Sequence, residues 1–157
     1  MPSDLPVLDR FDHAILRVLS TQGRLPVAEL ARRVGLSKTP TQTRLKRLEA
    51  EGVITGYRAM LNPLRLGLAH VAFIELRLSD TREAALAEFN AAVRAIPEVE
   101  ECHMIAGGFD YLLKVRTPDM ARYREIMAER ISALPHVANS STYVAMEAVK
   151  DTSFAAS

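Results

Sequence analysis

"GLSKTPTQTRLKRLEAEGVI" (residues 35–54) contains the clearest local signal of fold class in this chain. It carries four basic side chains on a threonine-rich segment, although the whole chain of 157 residues has a net charge of only +1. Residues 1–60 have a net charge of +4 and residues 61–157 a net charge of −3, which indicates two modules with different partners. The four basic residues are Lys38, Arg44, Lys46 and Arg47.

The basic stretch has the signals of a helix. Thr39 is the predicted N-cap, Pro40 takes the first helical position, and Gln42 stands where a capping box needs it. The helix is predicted to end at Gly52. Its inward face is predicted to consist of Thr41, Leu45 and Leu48, at spacings of four and three residues.

Two further helices are predicted before this one. The first covers about residues 10–20 behind the N-cap Asp9, and the second covers about residues 26–34 before Gly35. Three short helices with a tight turn before the last are typical of a helix-turn-helix. "VITGYRAML" (residues 53–61) follows as extended structure, in a small hairpin or wing.

The exposed side of the third helix is the predicted DNA contact, because recognition helices enter the major groove through their N-terminal residues. Hydroxyls, backbone N–H groups and nearby cations suit phosphates and base edges. A solvated surface helix is the alternative interpretation, and the capping role of Gln42 competes with base contact. The predicted DNA-binding residues are Ser37, Lys38, Thr39, Pro40, Gln42, Thr43, Arg44 and Arg47.

The second half of the chain contains an internal repeat. "IELRLSD" (74–80) resembles "LKVRTPD" (113–119), and "AIPEV" (95–99) resembles "ALPHV" (133–137). Each copy fits a strand, a helix and a second strand, and two such units in tandem indicate a ferredoxin-like βαββαβ domain with an antiparallel sheet. The predicted strands are 70–78, 99–105, 111–116 and 137–148, and the predicted helices are 82–95 and 120–133.

The predicted fold class is therefore α+β, with an N-terminal winged helix-turn-helix domain at 1–61, a linker at 62–69 and the βαββαβ domain at 70–157. In the first strand every second residue is apolar, which predicts one face packed on helices. The other face, with Phe73 and Glu75, is mixed, and such an uncovered face favours a second subunit.

Two long segments carry a resemblance to a known family. "ELARRVGLSKTPTQTRLKRLEAEGVITGYRAMLNPLRLG" (29–67) resembles the DNA-binding half of the leucine-responsive and asparagine-synthase regulators, the feast/famine or Lrp/AsnC transcription factors. "AIPEVEECHMIAGGFDYLLKVRT" (95–117) resembles their effector-binding domain. The resemblance covers about residues 8–150. The family usually has a small apolar residue where Thr41 stands and a serine where Pro26 stands.

The resemblance implies a sequence-specific regulator that binds double-stranded DNA and responds to an amino acid. It also implies a homodimer that assembles into a tetramer or octamer, with no cofactor. The short apolar runs and the single cysteine predict a cytoplasmic chain with no membrane partner. "IAGGFDYLLKV" (105–115) and "TYVAMEAVKD" (142–151) are similar to the branch that regulates proline catabolism, so proline is the first candidate effector.

"AGGFDY" (106–111) is the predicted effector loop. From the residues alone it is equally a plain hairpin turn, in which glycine supplies positive φ, or a loop that lets a small ligand approach the backbone. In the resembling family this loop borders a pocket between dimers, which favours the second interpretation. Asp110 would accept from an ammonium group. The predicted effector-binding residues are Met104, Ala106, Gly107, Gly108, Asp110, Tyr111, Ser140 and Thr142, of which Met104 and Tyr111 are lining only.

Other classes of protein fit poorly. The apolar runs are far shorter than the ~20 residues of a membrane span, and residues 1–10 do not read as a secretory signal. The four histidines lack metal-type spacing, Cys102 fits a half-buried apolar position, and no catalytic motif is present, so no enzyme is expected. The alternative is a stand-alone amino-acid-binding or enzyme-associated oligomerisation module, which a gel-shift with the chain's own upstream DNA would distinguish.

Overall fold

The computed structural model describes residues 5–151 and divides into two compact units, with the boundary between Ala59 and Met60. The outer ends of the two predicted domains, residues 1–4 and 152–157, lie outside the described residues. The predicted linker over residues 62–69 stays a prediction.

The first two helices of the N-terminal unit follow the sequence signals closely. Helix α1 (Arg10–Leu19) is capped by Asp9, whose side chain accepts hydrogen bonds from two backbone N–H groups of the first turn. Helix α2 (Val27–Val34) ends at Gly35, which has the left-handed φ of 74° expected of a helix-ending glycine. Pro26 is the N-cap of α2, one position before the first-turn site predicted for it.

Helix α3 (Lys38–Ala50) begins earlier than predicted, and its capping box is absent. The N-cap is Ser37 rather than Thr39, and no side chain caps the helix. The Thr41 hydroxyl donates to the Ser37 carbonyl at 2.9 Å. The first turn therefore has a side-chain hydrogen bond from a residue within the helix instead of one from an N-cap. Pro40 is tolerated as the third helical residue because the first backbone N–H groups of a helix have no intrahelical acceptor.

The core of this unit joins all three helices around the buried Leu48. Thr41 is also fully buried, as predicted, and Leu45 is half-buried. The predicted hairpin at 53–61 is not formed: all of this segment is described, and none of it is a strand. An isolated two-stranded hairpin is only marginally stable. The segment instead packs Ile54 on the helices. The buried residues of this cluster are Ile15, Leu30, Val34 and Leu48.

The C-terminal unit has the predicted βαββαβ topology. Its sheet has the order β2-β3-β1-β4 and is antiparallel at every pairing, as in ferredoxin-like folds. The helices α4 and α5 alternate with the strands, and α5 runs on into a π-helical turn. The elements are β1 (His70–Leu78), α4 (Glu83–Arg94), β2 (Val99–Met104), β3 (Tyr111–Thr117), α5 (Met120–Ile126), the π-helical turn (Met127–Ile131) and β4 (Val137–Val144).

Two elements end several residues before their predicted ends. The last helix changes to π geometry at Met127, whose carbonyl accepts from the Ser132 N–H five residues on. Strand β4 ends at Val144 instead of residue 148, although the Ala145 N–H still donates to the Val71 carbonyl of β1 at 2.9 Å.

The two faces of the sheet differ as the alternation predicts. Ala72, Ile74 and Leu76 are fully buried in the core with the helices. The opposite face carries Phe73, which is 36% exposed. On that face Lys114 lies opposite Phe73 and is nevertheless buried, because carboxylates from neighbouring segments pair with it.

Candidate functional site

The first turns of α3 form the exposed part of the predicted DNA contact. Seven of the eight predicted residues are exposed, and six of these lie between the N-cap and the second turn of the helix. Lys46, which was not among the eight, is a further exposed cation on α3. The six exposed residues at the start of the helix are Ser37, Lys38, Thr39, Pro40, Gln42 and Thr43.

Arg44 is not on the open side of α3, where the sequence had placed it. Its side chain is only 27% exposed, and its Nη1 lies 2.7 Å from Asp9 Oδ2 and 2.9 Å from Asp12 Oδ1. Its guanidinium also lies 5.4 Å from the centre of the Phe11 ring. The helical repeat shows which side of α3 a residue occupies, but not that α1 packs against its edge. Contact of Arg44 with DNA stays a prediction.

Arg47 also pairs with a carboxylate of α1, but its side chain remains more exposed than that of Arg44. Its Nη2 lies 2.6 Å from Asp12 Oδ2, while its side chain stays 41% exposed. Asp12 itself is 1% exposed. Burial by itself raises the pKa of Asp12, but the Asp9 N–H and the guanidiniums of Arg47 and Arg44 outweigh this effect and hold that pKa at about 2.

Sequence reasoning missed Asp12 as a member of this site. Asp9 was identified only as a helix cap, and the capping box that exists in the chain is the one in α1, between Asp9 and Asp12. The acids three residues apart at a helix start were a usable signal for that box. Nothing local indicated that the same carboxylates face Arg44 and Arg47, which lie 32 and 35 residues away from Asp12.

The effector loop is not a two-residue hairpin. The Ile105 N–H donates to the Asp110 carbonyl at 2.8 Å, which closes a loop of the residues between them. Neither Gly107 nor Gly108 has the left-handed φ that the hairpin interpretation needed, because a longer loop distributes the reversal over several residues. A Cβ at Gly108 would meet nothing within 4 Å, so the loop is open on that side.

Asp110 has a structural role that the sequence did not indicate. Its Oδ2 accepts from the Leu78 N–H at 2.7 Å, and its own N–H donates to the Leu76 carbonyl at 2.9 Å. Pairing between β1 and β3 ends at Leu76 and Tyr111, so the carboxylate takes the backbone donor that lies beyond the end of the strand. Asp110 is half-buried and stands at the edge of the loop.

The remaining predicted effector residues do not lie around one common pocket within the chain. Tyr111 is 2% exposed, and its hydroxyl donates to Asn90 in the core, so it does not line an open pocket. Thr142 lies on the helix side of β4, with its hydroxyl 2.6 Å from that of Tyr123. Ser140 is the residue that meets the loop: with Phe109 it borders a cavity of about 90 Å³. Exposed loop or strand-end positions are taken by Met104, Ala106, Gly107 and Gly108.

The described part of the chain offers little for other kinds of site. It contains no cluster of side chains that could hold a metal ion. None of its helices is both long and apolar enough to cross a bilayer.

Comparisons with known proteins match both units. The family profile described as "Winged helix-turn-helix DNA-binding" matches residues 8–55, and the profile described as "Lrp/AsnC ligand binding domain" matches residues 71–154. The chain is 65% identical over 143 residues to a proline dehydrogenase transcriptional activator of Rhodobacter capsulatus, covering 91% of this chain and 93% of the relative. It is 47% identical to the leucine-responsive regulatory protein of Salmonella typhimurium, covering 91% and 87%.

A solved structure agrees with this result. The transcriptional regulator NMB0573 of Neisseria meningitidis, in a complex with L-Met, superposes with a TM-score of 0.87 at 34% identity, covering 95% of this chain and 97% of that one.

Proposed function

This chain belongs to the Lrp/AsnC family of DNA-binding transcriptional regulators, and we propose that it reads its operator with α3 and responds to an amino acid, with proline as the first candidate. The relatives at 65% and 47% identity are transcriptional regulators and not enzymes. A regulator of this kind acts where the chromosome lies, so we propose a cytoplasmic location.

The exposed first turns of α3 carry the DNA-binding proposal. Polar groups that can meet base edges, on Thr39, Gln42 and Thr43, lie beside the cation of Lys38 at the helix start. Backbone N–H groups at a helix N-terminus favour phosphate, because they are unpaired and the helix dipole is positive there. Side chains read base edges while N–H groups and cations fix the helix on the backbone, so the two kinds of contact occur together on this surface.

Selection of binding sites from a random-sequence DNA pool tests the proposal. The full chain should enrich a two-fold symmetric site with half-sites spaced by about one helical turn or a multiple of it, as expected for a dimeric helix-turn-helix protein. Recovery of unenriched DNA after several rounds would contradict specific DNA binding and favour the stand-alone amino-acid-binding module.

Lys38→Ala is expected to weaken binding to all DNA sequences alike. A lysine that meets phosphate adds sequence-independent affinity, and its loss should flatten the dependence of log K on log salt by about one unit. Fluorescence anisotropy at several salt concentrations measures both quantities. Lys150→Ala removes a lysine of the other unit and serves as the matched control. An unchanged slope in folded Lys38→Ala protein would place the DNA elsewhere.

The effector proposal rests on the loop that joins β2 to β3. An amino acid needs an acceptor for its ammonium and donors for its carboxylate. Asp110 stands at the loop edge as the proposed acceptor, and the proposed donors are backbone N–H groups of the loop together with Ser140, which borders the cavity beside Phe109. The L-Met complex of NMB0573 supports an amino acid as the ligand class, and the name of the Rhodobacter relative supports proline.

Asp110→Asn is expected to lower the affinity for proline at least tenfold while the fold is kept. Asparagine can still accept from the Leu78 N–H but has no charge to pair with an ammonium, and a hydrogen bond to a charged group contributes about 1.5–3 kcal/mol. Calorimetric titration of the full chain with each of the twenty amino acids measures the loss and identifies the ligand. Equal affinity in wild type, Asp110→Asn and Gly108→Val would place the site elsewhere.

We further propose that the chain forms a homodimer which assembles into a tetramer or octamer. Exposed apolar residues line two sides of a cleft of about 650 Å³ in the C-terminal unit. A patch of this kind on the surface of a globular unit favours association with another protein surface. The two sides of the cleft carry Met60, Leu61, Leu64 and Met146 among their lining residues.

A further inference from the structure

The start of α1 presents two carboxylates to α3. Asp9 and Asp12, here called the α1 carboxylate pair, together make three ion pairs with the arginines of α3, at 2.6–2.9 Å. Asp12 bridges both guanidiniums, one through each carboxylate oxygen. Two of the four cations of the predicted DNA-binding helix therefore meet a carboxylate of their own domain.

The burial of Asp12 holds the two guanidiniums in place. Asp12 is 1% exposed, and a buried carboxylate is tolerated only when cations and N–H donors surround it. Besides Arg44 and Arg47, its donors include the Asp9 N–H at 3.0 Å. The arginines cannot both turn away from Asp12 without leaving that charge buried and unpaired. Arg44 is held further by the Phe11 ring.

The carboxylate pair changes what the DNA-binding surface offers. Lys38 and Lys46 are exposed on α3. Arg44 and Arg47 are ion-paired with carboxylates at the start of α1, although the side chain of Arg47 stays 41% exposed. Each cation that reaches a phosphate adds affinity for every DNA sequence equally. Holding two long cations back from phosphates lowers binding to random DNA and leaves discrimination to the side chains at the start of α3.

We propose that Asp12, supported by Asp9, is a specificity-determining positioning residue of the DNA-binding surface. It fixes Arg44 and Arg47 against α1, sets the position of α3, and keeps both guanidiniums from non-specific phosphate contacts. Arg44 then contributes by placing the helix rather than by direct contact with a base. This inference rests on the proposed operator binding by α3.

Asp12→Asn and Asp9→Asn test the inference in the full chain. Asparagine caps a helix about as well as aspartate, so Asp9→Asn removes the ion pair between Asp9 and Arg44, leaves the one between Asp12 and Arg44, and keeps the start of α1. The probes are the duplex that wild type selects from the random pool and a scrambled duplex of equal length. Affinities for both are measured over a range of salt concentrations, with circular dichroism to confirm folding.

The expected result is a loss of discrimination and not a loss of binding. Asp12→Asn should bind scrambled DNA more tightly, with a salt slope steeper by about one to two units, and the selected-to-scrambled affinity ratio should fall at least tenfold. Asp9→Asn should lower the ratio about threefold. A purely structural defect would instead weaken binding to both duplexes and would not steepen the slope.

Glu29→Gln is the matched control. Glu29 pairs with Arg32 and Arg33 of α2, so its change removes one carboxylate and releases two arginines of the same unit, but on a different helix. Its affinity ratio should stay within twofold of wild type. An equal loss of discrimination in Glu29→Gln would overturn the inference, because general charge would then explain the effect.

A double-variant comparison shows whether Asp12 acts through the arginines. Asp12→Asn should have no further effect on the affinity ratio in an Arg44→Gln/Arg47→Gln background, and an undiminished effect there would overturn the inference. An unchanged ratio in both folded single variants would also overturn it; if Asp12→Asn does not fold, Asp9→Asn decides. A wild-type chain that selects no DNA would instead contradict the proposed function itself.

Discussion

Leu48→Ala is expected to unfold the N-terminal unit and abolish DNA binding while the C-terminal sheet stays folded. Leu48 is fully buried where α3 meets the other two helices, and truncation of a buried leucine to alanine costs about 2–5 kcal/mol. A unit of fewer than 60 residues has little stability in reserve, so a loss of this size removes most of it.

Scanning calorimetry and far-UV circular dichroism measure this outcome. The two units have separate cores, so the variant should lose one low-temperature transition and part of its helical signal while a second transition remains. Leu5→Ala is the matched control, because Leu5 is 82% exposed and its truncation should change stability by less than about 0.5 kcal/mol. A variant whose two units melt together at an unchanged temperature would contradict the prediction.

Phe73→Asp is expected to convert the assembly into monomers. Phe73 lies at the centre of the open sheet face, with Tyr143 of β4 and Lys114 of β3 as its cross-strand neighbours. If two copies pair through this face about a two-fold axis, each substituted carboxylate enters the contact with its symmetry mate. A charge buried without an adequate partner costs several kcal/mol, so the dimer dissociation constant should rise at least a hundredfold.

Light scattering and sedimentation at micromolar concentration measure the change. Phe73→Leu keeps an apolar side chain at the same place and should keep the wild-type mass. Operator affinity should fall with the mass in Phe73→Asp, because a monomer meets only one half-site. A wild-type chain that is already monomeric at this concentration, or a Phe73→Asp chain of unchanged mass, would contradict the proposed assembly.

Most of the fold could be predicted because it depends on short-range patterns. Asp9, Gly35 and the alternation along β1 act within one helical turn or one strand, and the sequence displays such spacings directly. The internal repeat indicated the βαββαβ order for the same reason. The two errors concern the start of α3 and the absent hairpin at residues 53–61. At both places a local sequence signal competes with packing against the rest of the unit. At α3 the helix starts at Lys38 although the better capping motif stands later.

The candidate sites were predictable as segments but not as sets of contacts. The first turns of α3 are exposed as expected, and the loop at residues 106–109 is open beside Gly108. Tyr111, in contrast, was included only as a lining residue, since such a residue is more often found in a core, and the structure places it in the core. Ser140 and Thr142, predicted as a pair, border different cavities.

The three helices of the N-terminal unit, the order of the strands along the chain and the exposed stretch of α3 are evident from the sequence, because each follows from residues that are neighbours along the chain. The pairing of Asp12 with Arg44 and Arg47, and that of Asp110 with the Leu78 N–H, became evident only from the fold. Those partners are separated by 32 to 35 residues. A carboxylate attracts whichever cation or N–H group folding brings within reach, and this choice depends on how the elements pack rather than on any spacing in the chain.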